Sequence, residues 1–362
     1  MPIGLRHVEK LRLGMDRLRG AAPQGLTVER LQGWHLPLLQ DQAFVPLLPQ
    51  LQRALILELP ERLLGAVLPS FPHGPVVHVA LSRHPSQQPQ PCGLVVTRRL
   101  NRRGTCWEVD HLALAMDRPP FAPSGPEVAE ALMRVALQGA SGVSSWIATA
   151  SILDGQRLAV LRAQGFQRVR SDQLWRWQPR EPAPPLPAGL RAHALDRQSA
   201  ALMWHLEQSC CPAHLRQIFD RRIEDLLDQS GGCGWLLVDH DRNEAVAAIR
   251  HQIHHPEVGM VAELSLQPGR DDLLGPAGAW LLHRLARAGT PLVLRTDRDD
   301  VQRRAWLETL GASLLGEQVL MARTVWRRQE VQPARQASLR LEAMLEPWKP
   351  SPRSLPTPAG QR

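Results

Sequence analysis

Hydrophobic positions in this chain change rhythm repeatedly, and the order of the changes occurs twice. GLTVERLQGWHLPLLQDQA from Gly25 and GLRAHALDRQSAALMWHLEQS from Gly189 both read as a short strand start passing into a helical run. Two β-rich segments follow in each case: VVHVALSRHPSQQPQPCGLVVTRR from Val76, and GWLLVDHDRNEAVAAIRHQ from Gly234, where DHDRNE supplies the turn residues. Next come a third strand, WEVDHLALAM from Trp107 or MVAELSLQPG from Met260, and then a Gly-Pro pair opening a helix at Gly125 or Gly275. Pro126 and Pro276 suit the first helical position, where the missing N–H costs nothing. Val128, Leu132 and Val135 share one helical face, as do Leu281, Leu282 and Leu285.

Each copy then continues with an apolar strand, SWIATASI or PLVLRT, and a helix ending in glycine, DGQRLAVLRAQGF or DDVQRRAWLETLGA. Gly165 and Gly311 fit left-handed helix ends. A tryptophan-rich strand closes each copy, QLWRWQ or QVLMARTVW, whose alternation predicts a half-buried sheet. Between the copies lies PREPAPPLPAG, whose prolines interrupt both helix and strand. The division expected is a basic segment 1–24, a first unit 25–178, a linker 179–189, a second unit 190–328, and a short helix with a proline-rich tail over 329–362.

Composition changes this picture little. With 43% hydrophobic and 22% charged residues over 362 positions, the chain reads as two globular units. No apolar run approaches the ~18 residues that suggest a membrane span, and the basic start lacks a signal-peptide core, so the cytoplasm is the expected compartment. The net charge of +8 points to acidic partners without choosing among nucleic acid, a membrane surface and a phosphorylated small molecule. Five cysteines without C-x-x-C spacing argue for reduced thiols rather than a disulfide framework. Cys210, Cys211, His205 and His214 form one short cluster without a second ligand pair, so no metal is expected. Trp175 and Trp177 alternate as core or inter-unit packing residues do.

The element order, with the third central strand running into a glycine-containing turn and helix, resembles the GNAT acetyltransferase superfamily. LAVLRAQGF and AWLETLGA are similar to the end of that family's N-x-x-A-x-x-L-Y-x-x-x-G-F helix. The resemblance implies an α/β fold, two tandem GNAT-like units each built on a mixed sheet flanked by helices and packed as a pseudo-dimer. It implies acetyl-CoA or another acyl-CoA as cosubstrate, held in the V between two splaying parallel strands, and an amine on a small molecule or protein as acceptor. The family's Q/R-x-x-G-x-G/A signature receives the pyrophosphate on backbone N–H groups at a helix N-terminus. Asp272-Leu273-Leu274-Gly275-Pro276-Ala277 stands in that register, and the first copy keeps only Gly125. The cofactor contacts implied are Ser265, Leu266, Arg270, Gly275, Ala277 and Gly278, with Glu263 as general base; Asp110 and His111 lie at the same level in the first copy.

Three departures stand against transfer, the first being that Pro276 removes one potential backbone donor. Asp272 places a carboxylate beside the phosphate position, worth about 1 kcal/mol of repulsion in bulk water and about 4 at an effective dielectric near 20, which Arg270 is placed to offset. Leu161 and Leu307 occupy the positions of the family's proton-donating tyrosine, and the chain has no tyrosine. The expectation is acyl-CoA-dependent N-acyl transfer in the second unit. Its alternatives are a non-catalytic regulatory or scaffold protein of the same fold and an RNA- or tRNA-engaging protein.

Overall fold

The computed structural model describes residues 25–64, 74–83, 88–118, 122–231, 233–255, 259–286 and 291–325. The predicted basic segment 1–24 and the predicted helix and tail 329–362 lie outside these, as do residues 326–328 of the second unit. In the first copy, β1 (Leu26–Arg30) is followed by two 3₁₀ turns and α1 (Leu48–Leu64), so the predicted helical run starts later than its sequence pattern. Pro37 and Pro46 lie in the stretch that stays 3₁₀, each removing a backbone donor. Then come β2 (Val76–Ser82), β3 (Gln90–Arg99), β4 (Cys106–Leu114), α2 (Gly125–Gly139), β5 (Ser145–Ser151), α3 (Gly155–Ala163) and β6 (Gln167–Trp177).

The second copy repeats the order with β7 (Leu190–Ala194), three short helices α4 (Ala200–Cys210), α5 (Ala213–Phe219) and α6 (Ile223–Ser230), then β8 (Gly234–Asp239), β9 (Ala245–His255) and β10 (Gly259–Leu266). It ends with α7 (Pro276–Leu285), β11 (Leu292–Asp297), α8 (Val301–Thr309) and β12 (Ser313–Thr324). Gly165 and Gly311 close α3 and α8 at φ of +81° and +69°, a region glycine enters without steric cost.

One twelve-stranded sheet carries both copies, in the order β1-β2-β3-β4-β5-β12-β6-β11-β10-β9-β8-β7. The order shows an exchange that the strand pattern alone does not predict. β12, the last strand of the second copy, pairs with β5 of the first, and β6, the last strand of the first copy, pairs with β11 of the second. The two exchanged strands also pair with each other. Trp175 and Trp177 on β6 therefore pack in a core built mostly from the second copy, with Leu282, Leu294 and Leu307. Burying an aromatic pair of this size contributes several kcal/mol, at roughly 25 cal/mol per Å² of apolar surface. The exchange turns the packing expected of these tryptophans into the seam that joins the copies.

In each copy two neighbouring strands are parallel and then part. β4 pairs with β5 from Cys106↔Ser145 to Val109↔Ala148, and β10 pairs with β11 from Val261↔Val293 to Glu263↔Arg295. Beyond those pairs both sets of strands continue without hydrogen-bonding each other, leaving two V-shaped openings.

Candidate functional site

An arginine from the following helix reaches into each opening. Asp154 caps α3 by accepting from the Arg157 N–H at 2.9 Å, and Asp300 caps α8 by accepting from the Arg303 N–H at 2.9 Å. The caps orient the two helices alike, and each side chain then donates to the splayed strand. Arg157 Nη2 donates to the Asp110 carbonyl at 3.1 Å and the Val109 carbonyl at 3.3 Å. Arg303 Nη1 donates to the Leu264 carbonyl at 2.6 Å. Both arginines stand where the family pattern has alanine. The sequence carries a signal for them: Asp-Gly-Gln-Arg and Asp-Val-Gln-Arg precede the two glycine caps at the same distance.

The two openings differ at the helix behind them. In the first, Glu127 accepts from the Ser124 N–H and hydroxyl at 2.8 Å each, and the Arg118 guanidinium lies over Gly125 where a Cβ would collide with it. The N-terminus of α2 is thus closed by Glu127 of its own first turn and by Arg118 from the segment before it. In the second, α7 begins at Gly275 and Pro276 without a side-chain cap, and a Cβ at Gly275 would meet nothing within 4 Å. Asp271–Leu274 forms a 3₁₀ turn that buries Leu273 and Leu274. Arg270 is held there by Asp272, with Nε–Oδ1 at 3.1 Å, and by Asp239 at 3.8 Å. Asp272 is therefore already partnered by the residue expected to offset it. Ala277 is buried in the core, and Gly278 packs so closely on Trp306 that a Cβ would lie 3.0 Å from its ring.

Glu263, Ser265, Leu266 and Arg303 line a 350 Å³ cavity in the second opening. Ser265 is buried, and the Leu266 carbonyl accepts from the Cys210 thiol at 2.9 Å. Glu263 sits among guanidinium groups: Arg295 at 3.6 Å, Arg170 at 3.8 Å and Arg250 at 3.9 Å. Burial pushes its carboxyl up, but Arg295, Arg170, Arg250 and Arg221 outweigh that and hold it at about 2. A carboxylate this acidic is a weak proton acceptor, because base strength falls with pKa. In the first copy, Asp110 lies 3.7 Å from His111 and 3.8 Å from Arg98. Burial raises its carboxyl to about 6 against the opposing pull of Arg98, with Glu108 adding to the rise.

A second cavity, of 420 Å³, opens beside Asp110, Thr149 and Ser151 and extends under β6 and β12 to Arg295. Phe219, Arg221 and Arg295 line both cavities. The corner between α5 and α6 brings Phe219 and Arg221 there, and it is tied to the first copy. Asn101 Nδ2 donates to the Phe219 and Asp220 carbonyls at 3.2 and 3.0 Å, the Arg102 N–H to Asp225 at 2.8 Å, and Gln229 to the Leu100 carbonyl at 2.6 Å. Sequence reading does not find this corner, since no local pattern marks contacts made across more than a hundred residues.

No protein-family model matches the sequence, and comparison with curated proteins finds no match. Comparison of the fold does. A GCN5-related N-acetyltransferase from Sphaerobacter thermophilus is 13% identical and superposes with a TM-score of 0.51, covering 84% of this chain and 97% of its own. A tandem GNAT protein from the clavulanic acid biosynthesis pathway is 14% identical with a TM-score of 0.47, covering 84% of this chain and all of its own. The fold is that of the GNAT acetyltransferases, an α/β fold with a mixed sheet flanked by helices, present in two tandem copies. Among the described residues, no helix is long and apolar enough to cross a membrane.

Proposed function

We propose that this chain is an acyl-CoA-dependent N-acyltransferase in which only the second copy, residues 190–328, takes the cofactor. The observation that carries this reading is the asymmetry at the two helix starts. Glu127 and Arg118 close the first, whereas the α7 N-terminus is uncapped and open above Gly275. Helix N–H groups facing an open approach suit a pyrophosphate. Ser265 and Leu266 would border the pantetheine arm, with Ala277 and Gly278 behind the phosphates and Arg270 beside them.

Cofactor entry requires Arg303 to leave the Leu264 carbonyl, and the Arg270 pair with Asp272 limits the repulsion from that carboxylate. We assign Glu263 to positioning, as the anion that organises Arg170, Arg250 and Arg295, in place of the general base that the family resemblance implies. With no tuned base, the reaction depends on the acceptor's own free-amine fraction, and catalysis comes from holding amine and thioester together. The rate should therefore rise with pH toward the acceptor's pKa, with no inflection belonging to Glu263.

The test is release of free coenzyme A from acetyl-CoA in the presence of amine acceptors, comparing wild type with Gly275→Glu. The variant puts a carboxylate into open space, so the fold should survive while the signal is lost. The non-catalytic reading gains its support from Arg157 and Arg303, which already satisfy the strand carbonyls that a cofactor would use. Thiol release indistinguishable from buffer with every acceptor would favour it.

A further inference from the structure

The wall between the two cavities holds a cation, Arg221, that shares its ion-pair carboxylate with a second guanidinium. Arg221 stacks on the Phe219 ring, with its guanidinium carbon 4.4 Å from the ring centre, and its side chain is 15% exposed. Its ion-pair partner is Glu207, at 3.6 Å. Glu207 is engaged more closely by the fully buried Arg250, whose Nε and Nη2 both lie 2.6 Å from the same carboxylate oxygen. One carboxylate therefore serves two guanidinium groups, and Arg221 is the more distant of the two. Its Nε finds no hydrogen-bond partner among the described residues. Burial and the neighbouring Arg250 and Arg295 lower its pKa, and Glu207 and Glu263 only partly oppose them. A buried guanidinium donor left without an acceptor costs free energy that a bound oxyanion would recover.

Carboxylates line the same 350 Å³ cavity, among them Asp297, Asp299 and Asp300 at the end of β11 and the start of α8. Asp300 is partnered by Arg303 at 3.1 Å, Asp297 accepts from the Asp299 N–H at 3.0 Å, and Asp299 is exposed. A ligand in this cavity therefore meets both the aspartates of the β11–α8 turn and the Arg221 guanidinium.

We infer that the acceptor is an amino carboxylate, whose ammonium faces Asp297 and Asp299 and whose carboxylate is received by Arg221 on the wall shared by the two cavities. The inference rests on reading the second opening as the transfer site, and it adds the substrate class. The planar fork of Arg221 matches a carboxylate through two donors, and Phe219 fixes the plane in which it is presented. Arg221 is in this account a binding residue; no bond to the acceptor is made or broken there.

Isothermal titration in the absence of acyl-CoA tests it, using β-alanine, its neutral amide β-alaninamide and the dianion O-phosphoethanolamine as probes. Wild type should bind β-alanine at least about tenfold more tightly than the amide, because the amide leaves Arg221 without its charge partner. Arg221→Gln should bind the two alike and should melt no lower than wild type, since it removes an underpaired buried cation. Arg221→Lys, which keeps the charge and loses the fork, should retain part of the preference and serves if the glutamine variant does not fold. Equal binding of β-alanine and its amide to wild type, tighter binding of O-phosphoethanolamine, a preference that survives Arg221→Gln, or no heat with any probe would overturn the inference. Acetyl-CoA titrated separately reports on the transfer reading, so the two failures are distinguishable.

Discussion

Arg303 has two effects of opposite sign on any ligand of the second opening. It satisfies the Leu264 carbonyl at the end of the parallel pairing, and it occupies the space beside that carbonyl. Arg303→Ala should cost about 1–2 kcal/mol of stability through the lost charged hydrogen bond, read from a denaturant midpoint. The same variant should bind acetyl-CoA more tightly than wild type; weaker binding would make Arg303 a ligand contact. The carboxylates add a pH signature. Glu263 is held at about 2, below its ordinary 4.5, so its contribution is full above about pH 4.5 and is lost as pH falls through 2. With the side chain 23% exposed, that contribution is about 2 kcal/mol after allowance for solvent screening. Asp110 runs the other way: raised from 3.8 to about 6, it favours the folded state fully below pH 3.8, and that benefit is lost as pH rises through 6. Asp110→Asn should therefore raise the melting temperature at pH 7 relative to wild type and change it little at pH 4. Glycine signals at Gly165, Gly311 and Gly275 were legible because backbone geometry is local. The environment of Glu263 was not, since its arginines come from four different segments of the chain.

At the scale of elements, the α5–α6 corner carries more than its length suggests. Asp220 closes α5 at φ +46°, a left-handed conformation that most side chains avoid, and its carboxylate accepts from the Thr105 hydroxyl at 2.6 Å and pairs with Arg103. The corner is thereby fixed over the first copy, which places Phe219 and Arg221 in the cavity wall. Asp220→Ala removes the contacts and keeps the strained angle, and should cost about 2 kcal/mol; Asp220→Gly, which relieves the angle, should cost less. Chemical denaturation of the two variants separates conformational strain from lost contact. Strands and helices of both copies were readable from period and punctuation, because alternation and glycine caps are imprinted on neighbouring residues. The partners of β6 and β12 were not, since alternation in QLWRWQ or QVLMARTVW fixes a face and leaves the neighbouring strand open.

Over the whole molecule, the exchange of β6 and β12 makes the two copies interdependent. β12 lies between β5 and β6, and β11 holds the other side of β6, so withdrawing the second copy would uncover one edge of β5, both edges of β6 and the Trp175–Trp177 face together. A protease site placed in 179–189 should be cut without separating the fragments under native conditions, and gel filtration should show them eluting together until denaturant is added. Independent elution would mean that the linker, not the sheet, holds the copies together. The duplicated pattern disclosed the repeat, and the loss of all but Gly125 in the first copy disclosed part of its asymmetry; the closure of the first helix start by Glu127 and Arg118 showed only in space. That asymmetry is the central claim, and titration calorimetry with acetyl-CoA tests it most directly. One molecule should bind per chain, with binding abolished by Gly275→Glu. Two sites per chain, or binding unchanged in that variant, would contradict the assignment of the cofactor to the second copy, and no binding at all would contradict the transferase reading itself.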